Sequence, residues 1–342
     1  MKSKSVYIFV FFFAMLVHGF GQQDPQFTQH MYTILPINPG VAGSAGICAS
    51  LHYRSQWTGF TDIIPKKGTE GFDTFKTAPR DIMLTLHAPV KKLHGGLGLT
   101  VYNDTYGQQT DITVKLAYAF RMNLFGGVLG VGPSVDLLSR KVHDNWYFNP
   151  DCIDQTVLDN MAKTAMYCNV GLGAYFEMQN KWYAGISCTQ LAPIIDAKNL
   201  YQKQNQHLYA LGGYTFELPS NPNWEFKPCA LLKYDFKTIP TIDATFIAEW
   251  QNMFWVGVSY RTVDAVAVLG GARPFITNSS PYLRGLEVAA SYDVNTSKLM
   301  RHGRSFGGPE ICIKYCFKIV VIPPVSGHRG TRLLGNRPIE YR

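Results

Sequence analysis

Residues 240–251 read PTIDATFIAEWQ. Ile242, Ala244, Phe246, Ala248 and Trp250 fall on one side of an extended chain, and Thr241, Asp243, Thr245 and Glu249 on the other. Successive side chains of a strand point to opposite faces, so this alternation describes a strand with one apolar and one polar face. The pattern recurs at both ends of the chain. In 47–57, Ile47, Ala49, Leu51, Tyr53 and Trp57 oppose Cys48, Ser50, His52, Arg54 and Gln56. In 310–321, Ile311, Ile313, Tyr315, Phe317 and Ile319 oppose Glu310, Cys312, Lys314 and Lys318. Fourteen segments follow the rule: 46–57, 79–89, 95–104, 109–120, 127–138, 164–178, 182–190, 206–217, 224–235, 240–251, 254–261, 265–273, 283–294 and 309–321. Most have the ~9–11 residues that a tilted strand needs to cross hydrocarbon. No segment of comparable strength has a helical period.

Composition agrees. Charged residues are 16% of the 342, hydrophobic residues 46% and aromatics 13%, against ~25% charged in an average soluble domain. That excludes a disordered chain, and the lack of repeated ~20-residue apolar runs excludes a bundle of membrane helices. The connections alternate in length in most places. Lys91–His94, Arg121–Phe125, Gln179–Lys181, Pro219–Asn223 and Gln251–Met253 are short, whereas 58–78, 139–163, 191–205 and 295–308 are long; the connection near 274–282 is longer than the pattern expects. Transmembrane barrels have short periplasmic turns and longer outer loops. Aromatics near strand ends, Trp57, Phe120, Trp182, Phe216, Trp224, Tyr234, Trp250, Phe254 and Tyr260, fit two interfacial girdles; the competing reading is the aromatic core of a soluble β-protein. The expectation is an all-β, antiparallel, up-and-down transmembrane barrel of about 14 strands, with both termini in the periplasm. Pro133 and Pro228 fall inside expected strands, which calls for bulges or shifted strand ends.

Lys2 and Lys4 precede a twelve-residue apolar run, Val6–Val17, and Gly19-Phe20-Gly21 supplies small residues at a cleavage site. This reads as a secretory signal peptide, residues 1–21, cleaved before Gln22. Residues 22–44 form a leader rich in Pro, Asn and Gly without strand alternation, a candidate plug for the lumen or else a disordered periplasmic segment. The barrel is expected over 45–321 and a basic periplasmic tail over 322–342. Gly96, Gly98, Gly171, Gly173, Gly185 and Gly257 take inward positions, where backbone or an inserted segment can approach closely. Seven cysteines leave at least one thiol unpaired or intermolecular. Cys312 and Cys316 share a strand face roughly 13 Å apart, too far to bridge each other, and read as small inward residues.

No catalytic motif is present: no H-E-x-x-H, no G-x-S-x-G, no phosphate-binding loop. The expectation is a non-enzymatic protein with no cofactor and no metal. Three blocks are specific. Gln23-Asp24-Pro25-Gln26-Phe27-Thr28-Gln29-His30-Met31-Tyr32 is followed by Asn38-Pro39-Gly40-Val41-Ala42-Gly43-Ser44 and then Tyr53-Arg54-Ser55-Gln56-Trp57-Thr58-Gly59-Phe60. Together they resemble the PorP/SprF family, outer-membrane proteins of the type IX secretion and gliding systems of Bacteroidetes. Gly307–Phe317 looks like that family's closing strand, and the chain runs about 25 residues beyond Phe317. The motif positions are Pro25, Phe27, Gln29, Asn38, Pro39, Gly43, Arg54, Gln56 and Trp57. Asn38-Pro39-Gly40 is a turn signal. Arg54 and Gln56 face inward, with Arg54 as a charged anchor for the leader.

The resemblance implies an outer-membrane protein that helps deliver or anchor an adhesin-like type IX substrate through its C-terminal sorting domain. Alternatively, it is a core component linked to the periplasmic ring; the remaining alternative is a plugged solute channel. The implied partners are that secreted substrate, other secretion components and outer-membrane lipid, with nucleic acid excluded by the compartment. Candidate partner-binding loops carry Trp146, Tyr147 and Phe148, equally readable as part of the outer girdle, and Arg301 and Arg304, whose competing reading is a solvated loop. The net charge of +8 sits partly in 295–308 and in the tail, suited to anionic lipid or an acidic partner.

Overall fold

A computed structural model describes residues 26–60, 62–65, 72–75, 78–143, 164–178, 181–195, 205–262, 264–277, 283–296, 305 and 307–317. The expected signal peptide, Pro25, the aromatic loop with Trp146, Tyr147 and Phe148, the basic loop with Arg301 and Arg304, and the 322–342 tail lie outside the described residues.

The strands are β1 (Ile47–Ser55), β2 (Asp62–Pro65), β3 (Phe72–Phe75), β4 (Arg80–Val90), β5 (Gly95–Tyr106), β6 (Gln109–Leu124), β7 (Gly127–Val142), β8 (Thr164–Met178), β9 (Trp182–Ile195), β10 (His207–Tyr214), β11 (Phe216–Leu218), β12 (Asn221–Tyr234), β13 (Thr241–Trp250), β14 (Phe254–Arg261), β15 (Ala265–Ala272), β16 (Leu286–Asn295) and β17 (Gly308–Phe317). The hairpin β2–β3 stands apart in the first long loop. The other strands form one antiparallel sheet in which β10 and β11 are two parts of one strand, interrupted at Thr215 and paired with β12 in one register from Leu208 to Glu217. β1 pairs with β4 on one side and with β17 on the other, so the sheet closes on itself with fourteen staves. In hydrocarbon an open edge would leave a row of unpaired N–H and C=O groups, and closure removes it.

The pleat sorts the side chains as the alternation required. Leu51, Leu84, Leu116, Leu172, Val256, Val268 and Ile313 point outward and are exposed, while Ser50, Asp81, Lys115, Asp243, Ser259, Asp293 and Glu310 point inward and are buried. An apolar belt running round the whole barrel is far larger than a soluble monomer tolerates, and it matches the band that faces lipid in outer-membrane barrels. Aromatics gather at both rims. Trp182, Phe216, Trp250 and Phe254 are exposed near the short turns, and Tyr53, Tyr260 and Tyr292 at the opposite rim. Trp57 departs from the expected girdle. β1 ends at Ser55, and Trp57 takes a left-handed backbone (φ 50°) in the loop beyond it, against Phe60.

The two prolines do not produce bulges. The β6–β7 ladder lacks pairs between Ala117↔Ser134 and Phe120↔Val131, and the register is unchanged across the gap that holds Pro133. Likewise the pairing of β12 skips from Cys229↔Gly213 to Phe226↔Phe216 around Pro228, again without a slip. Each proline lacks a donor, and the ladder omits rungs locally while both neighbours stay in phase. True register shifts occur elsewhere, in β8–β9 near Asn169 and in β11–β12 near Leu218.

A disulfide joins Cys48 to Cys316, with Cα atoms 4.1 Å apart. The two residues are directly opposite across the β1–β17 seam. The bond therefore staples the first strand to the last, near the short-turn rim. A cross-link spanning 268 residues removes unfolded-state entropy worth on the order of 5 kcal/mol in the chain-entropy view. Cys48→Ser and Cys316→Ser are each expected to lower the temperature at which the folded barrel loses its compact migration in detergent gels. Reductant should lower it equally in the parent chain and leave both variants unaffected. A reductant effect that persists in both variants would contradict this role of the staple.

Candidate functional site in the lumen

The inward face of the barrel is charged, and a charge removed from water must be paired or pushed out of its charged state. Lys115 meets Asp136 at 3.0 Å, Arg140 meets Asp111 at 2.6 Å, and Lys233 meets Asp243 at 2.7 Å. Near the short-turn rim, Lys227 bonds Glu249 at 2.7 Å, and Arg273 bridges Glu249 and Glu287. A further group of charges gathers where the leader passes. Arg54, Arg261, Asp293 and Glu310 converge from β1, β14, β16 and β17, all buried. Arg54 lies 2.5 Å from Asp293 and 3.9 Å from Glu310, and Arg261 lies 3.8 Å from Asp293.

Part of their remaining bonding capacity is taken by the leader. The Arg54 guanidinium donates to the Gln26 carbonyl. The Thr28 N–H donates to Glu310 Oε2 at 2.7 Å and the Gln29 N–H to Glu310 Oε1 at 3.1 Å, so one carboxylate receives two successive backbone donors. The Thr28 hydroxyl donates to Asp293 at 2.5 Å and accepts from Arg261 at 3.3 Å. Charge-assisted bonds to backbone amides are the stronger kind. They hold an extended segment that has no strand partner of its own. Phe27 packs edge-on to His52, with ring centroids 5.7 Å apart.

Beyond this clamp the Tyr32 hydroxyl donates to Glu287 at 2.5 Å, and its ring lies between Trp255 and the Lys314 ammonium. A single helical turn, α1 (Ile34–Ile37), then carries the chain across the lumen. Lys115 Nζ donates to the Pro36 carbonyl at 2.7 Å and the Ser187 hydroxyl to the Ile37 carbonyl at 2.7 Å. Asn38 caps the following 3-10 turn, Pro39–Val41, by accepting from the Gly40 N–H, and its amide donates to the Ala174 carbonyl at 3.0 Å. The leader here lies backbone to backbone on the wall. A Cβ added at Gly96 would sit 2.3 Å from the Ala42 carbonyl oxygen, and one added at Gly130 would sit 2.2 Å from that of Gly40.

Of the motif residues, Phe27, Gln29, Asn38, Pro39, Gly43 and Arg54 are thus brought together inside the barrel. Gly43 takes φ +76° and donates its N–H to His87 Nδ1 at 3.2 Å. Two others stand apart. Gln56 bonds Asp81 of the wall at 2.9 Å, and Trp57 sits in the outer loop. The sequence reading missed Thr28, Arg261, Asp293 and Glu310. Among them Asp293 and Glu310 carried a signal, being acids on the polar face of alternating strands. Among the described residues no group of His, Cys, Asp and Glu is arranged to hold a metal ion.

Residues 19–315 match the family described as type IX secretion system membrane protein PorP/SprF. No curated protein matches the chain. Among solved structures, the chain is similar to the CymD monoaromatic hydrocarbon channel, with 11% identity, 82% of this chain and 91% of that one covered, and a TM-score of 0.46. A Pseudomonas aeruginosa FadL homologue gives 11% identity, 80% and 90% coverage and 0.43. Acinetobacter baumannii Omp33 gives 10%, 80% and 99%, and 0.41.

Arg54→Ala removes a buried cation from beside Asp293 and Glu310, an effect of about 3–5 kcal/mol. It is expected to lower the heat resistance of the barrel and to expose the 26–44 segment to protease, with Arg54→Lys intermediate. Gly130→Val, which leaves every charge in place, is expected to release the same segment through contact with Gly40 alone. Unchanged protease fragments in both variants would contradict the clamp.

Proposed function

The chain belongs to the PorP/SprF family of type IX secretion system membrane proteins, and from that premise we propose that it is a non-catalytic outer-membrane partner that helps deliver or anchor one adhesin-like substrate at the cell surface. Recognition is through the C-terminal sorting domain of that substrate. The observation that carries this reading is the use made of the lumen. In a solute channel the inward polar groups line a water path. Here those of β1, β14, β16 and β17 bind the chain's own leader, and the leader buries Phe27, Thr28, Gln29 and His30 inside the ring. A barrel filled in this way has its rims left for partners. The residues before Gln22 serve as the export signal and are removed, and the basic tail lies in the periplasm.

The test is a chromosomal deletion scored by surface proteomics of intact cells. The reading predicts that one large exported protein with a C-terminal sorting domain is lost from the surface while other exported substrates remain. Loss of every substrate would instead make this chain a core component of the machine. An unchanged surface with altered solute uptake would make it a channel and overturn the proposal.

A further inference from the structure

The leader does not enter the lumen at the rim where β1 begins. Gln26, its first described residue, is held at the opposite rim. It accepts from Arg54, one residue before the long-loop end of β1, and from Lys233, one residue before the long-loop end of β12. With Gln26, the start of β10 (His207, Tyr209) and the β12–β13 loop (Asp235, Thr238, Ile239) line a small cavity at that mouth. The loop is ordered by Asp235, whose carboxylate accepts from the Lys237 N–H at 3.1 Å and from the Thr238 N–H and hydroxyl at 2.7 Å each. Burial alone would raise the Asp235 pKa, and these donors hold it below its ordinary value.

From there the chain descends. Thr28 and Gln29 reach Asp293 and Glu310, two residues inside the long-loop ends of β16 and β17. Tyr32 reaches Glu287 and Trp255, each the second residue of its strand at the short-turn rim. After crossing to the far wall, Gly43 lies against Gly96 and Pro89 at the short-turn rim, next to the start of β1. The polypeptide therefore traverses the barrel once along its axis before the fourteen strands begin. Fourteen strands would return both termini to one face. The extra traverse moves one of them.

We infer that the leader is a strap threaded from the long-loop mouth to the short-turn rim, so that the mature amino terminus emerges on the long-loop face, opposite the face where β17 ends. With cleavage before Gln22, four residues precede Gln26. Fully extended they span at most about 14 Å, less than the ~25 Å apolar height of such a barrel, so they do not reach back to the other rim. Long loops lie outside in these barrels, which makes the mouth at Gln26 the cell-surface one. The strap ties that mouth to the periplasmic rim by a single stretch of buried backbone, and this holds whichever exported protein the barrel serves.

Two measurements on the full-length chain test the threading. A short epitope inserted after Gln23 is expected to bind antibody on intact cells at least tenfold better than the same epitope placed after Arg342, the two becoming equal on permeabilisation. Detection of the Gln23 epitope only after permeabilisation would overturn the inference. Independently, the pair Thr28→Cys with Asp293→Cys is expected to form a cystine in folded protein, mapped by mass spectrometry, whereas Thr28→Cys with Glu287→Cys is not. The reverse pattern would mean the opposite threading and would overturn it equally.

Discussion

The structure depends on one requirement: within hydrocarbon every backbone N–H and C=O needs a partner inside the protein. A sheet of apolar-faced strands satisfies it only by joining its ends. In this chain the join is β1 against β17, eight register pairs from Ile47↔Phe317 to Arg54↔Glu310. The seam is reinforced at both ends by different chemistry. Cys48–Cys316 is covalent at the short-turn end. At the other end Arg54 and Glu310 lie opposite each other and share the leader between them. Closure and leader binding thus use the same two strands.

Closure creates a second problem. A ring of fourteen strands is wider than the eight-stranded kind that side chains can fill, and its inner face carries Arg, Lys, Asp and Glu. Left alone in a dry interior these charges would be costly. Some pair across the wall, as Arg140 with Asp111 does. Others are met by the leader, whose backbone bonds Arg54, Lys115 and Glu310. Glycine on both sides, at Gly40 and Gly130, lets two backbones touch where side chains would hold them apart. The barrel is therefore built around its own amino-terminal segment.

Much of this was legible in the residues. Strand alternation placed all fourteen staves, because a period of two survives in any sheet with one lipid face and one polar face. Strand ends were less legible: β6 and β7 each run four residues past the expected stop, since alternation continues weakly into the rims. The Cys48–Cys316 bond was not legible. The residues are far apart in sequence and become neighbours only when the ring shuts, whereas the local pair Cys312 and Cys316 drew attention by spacing. Gln56 illustrates a similar limit. Its inward parity was right, but parity does not say whether a side chain reaches the leader or, as here, Asp81 of the wall. The direction of the leader was hidden for the same reason. Even strand parity places both termini together, and only contacts of Gln26 and Tyr32 with opposite rims reveal the extra traverse.

The central claim is that the leader is an integral, bonded part of the closed barrel. Amide hydrogen exchange of the folded protein in bilayers, resolved at Thr28 and Gln29, tests it most directly. Both amides donate to the buried Glu310 carboxylate, so they are expected to exchange as slowly as the amides of β1. Exchange at the rate of an open loop, with β1 still protected, would contradict the account.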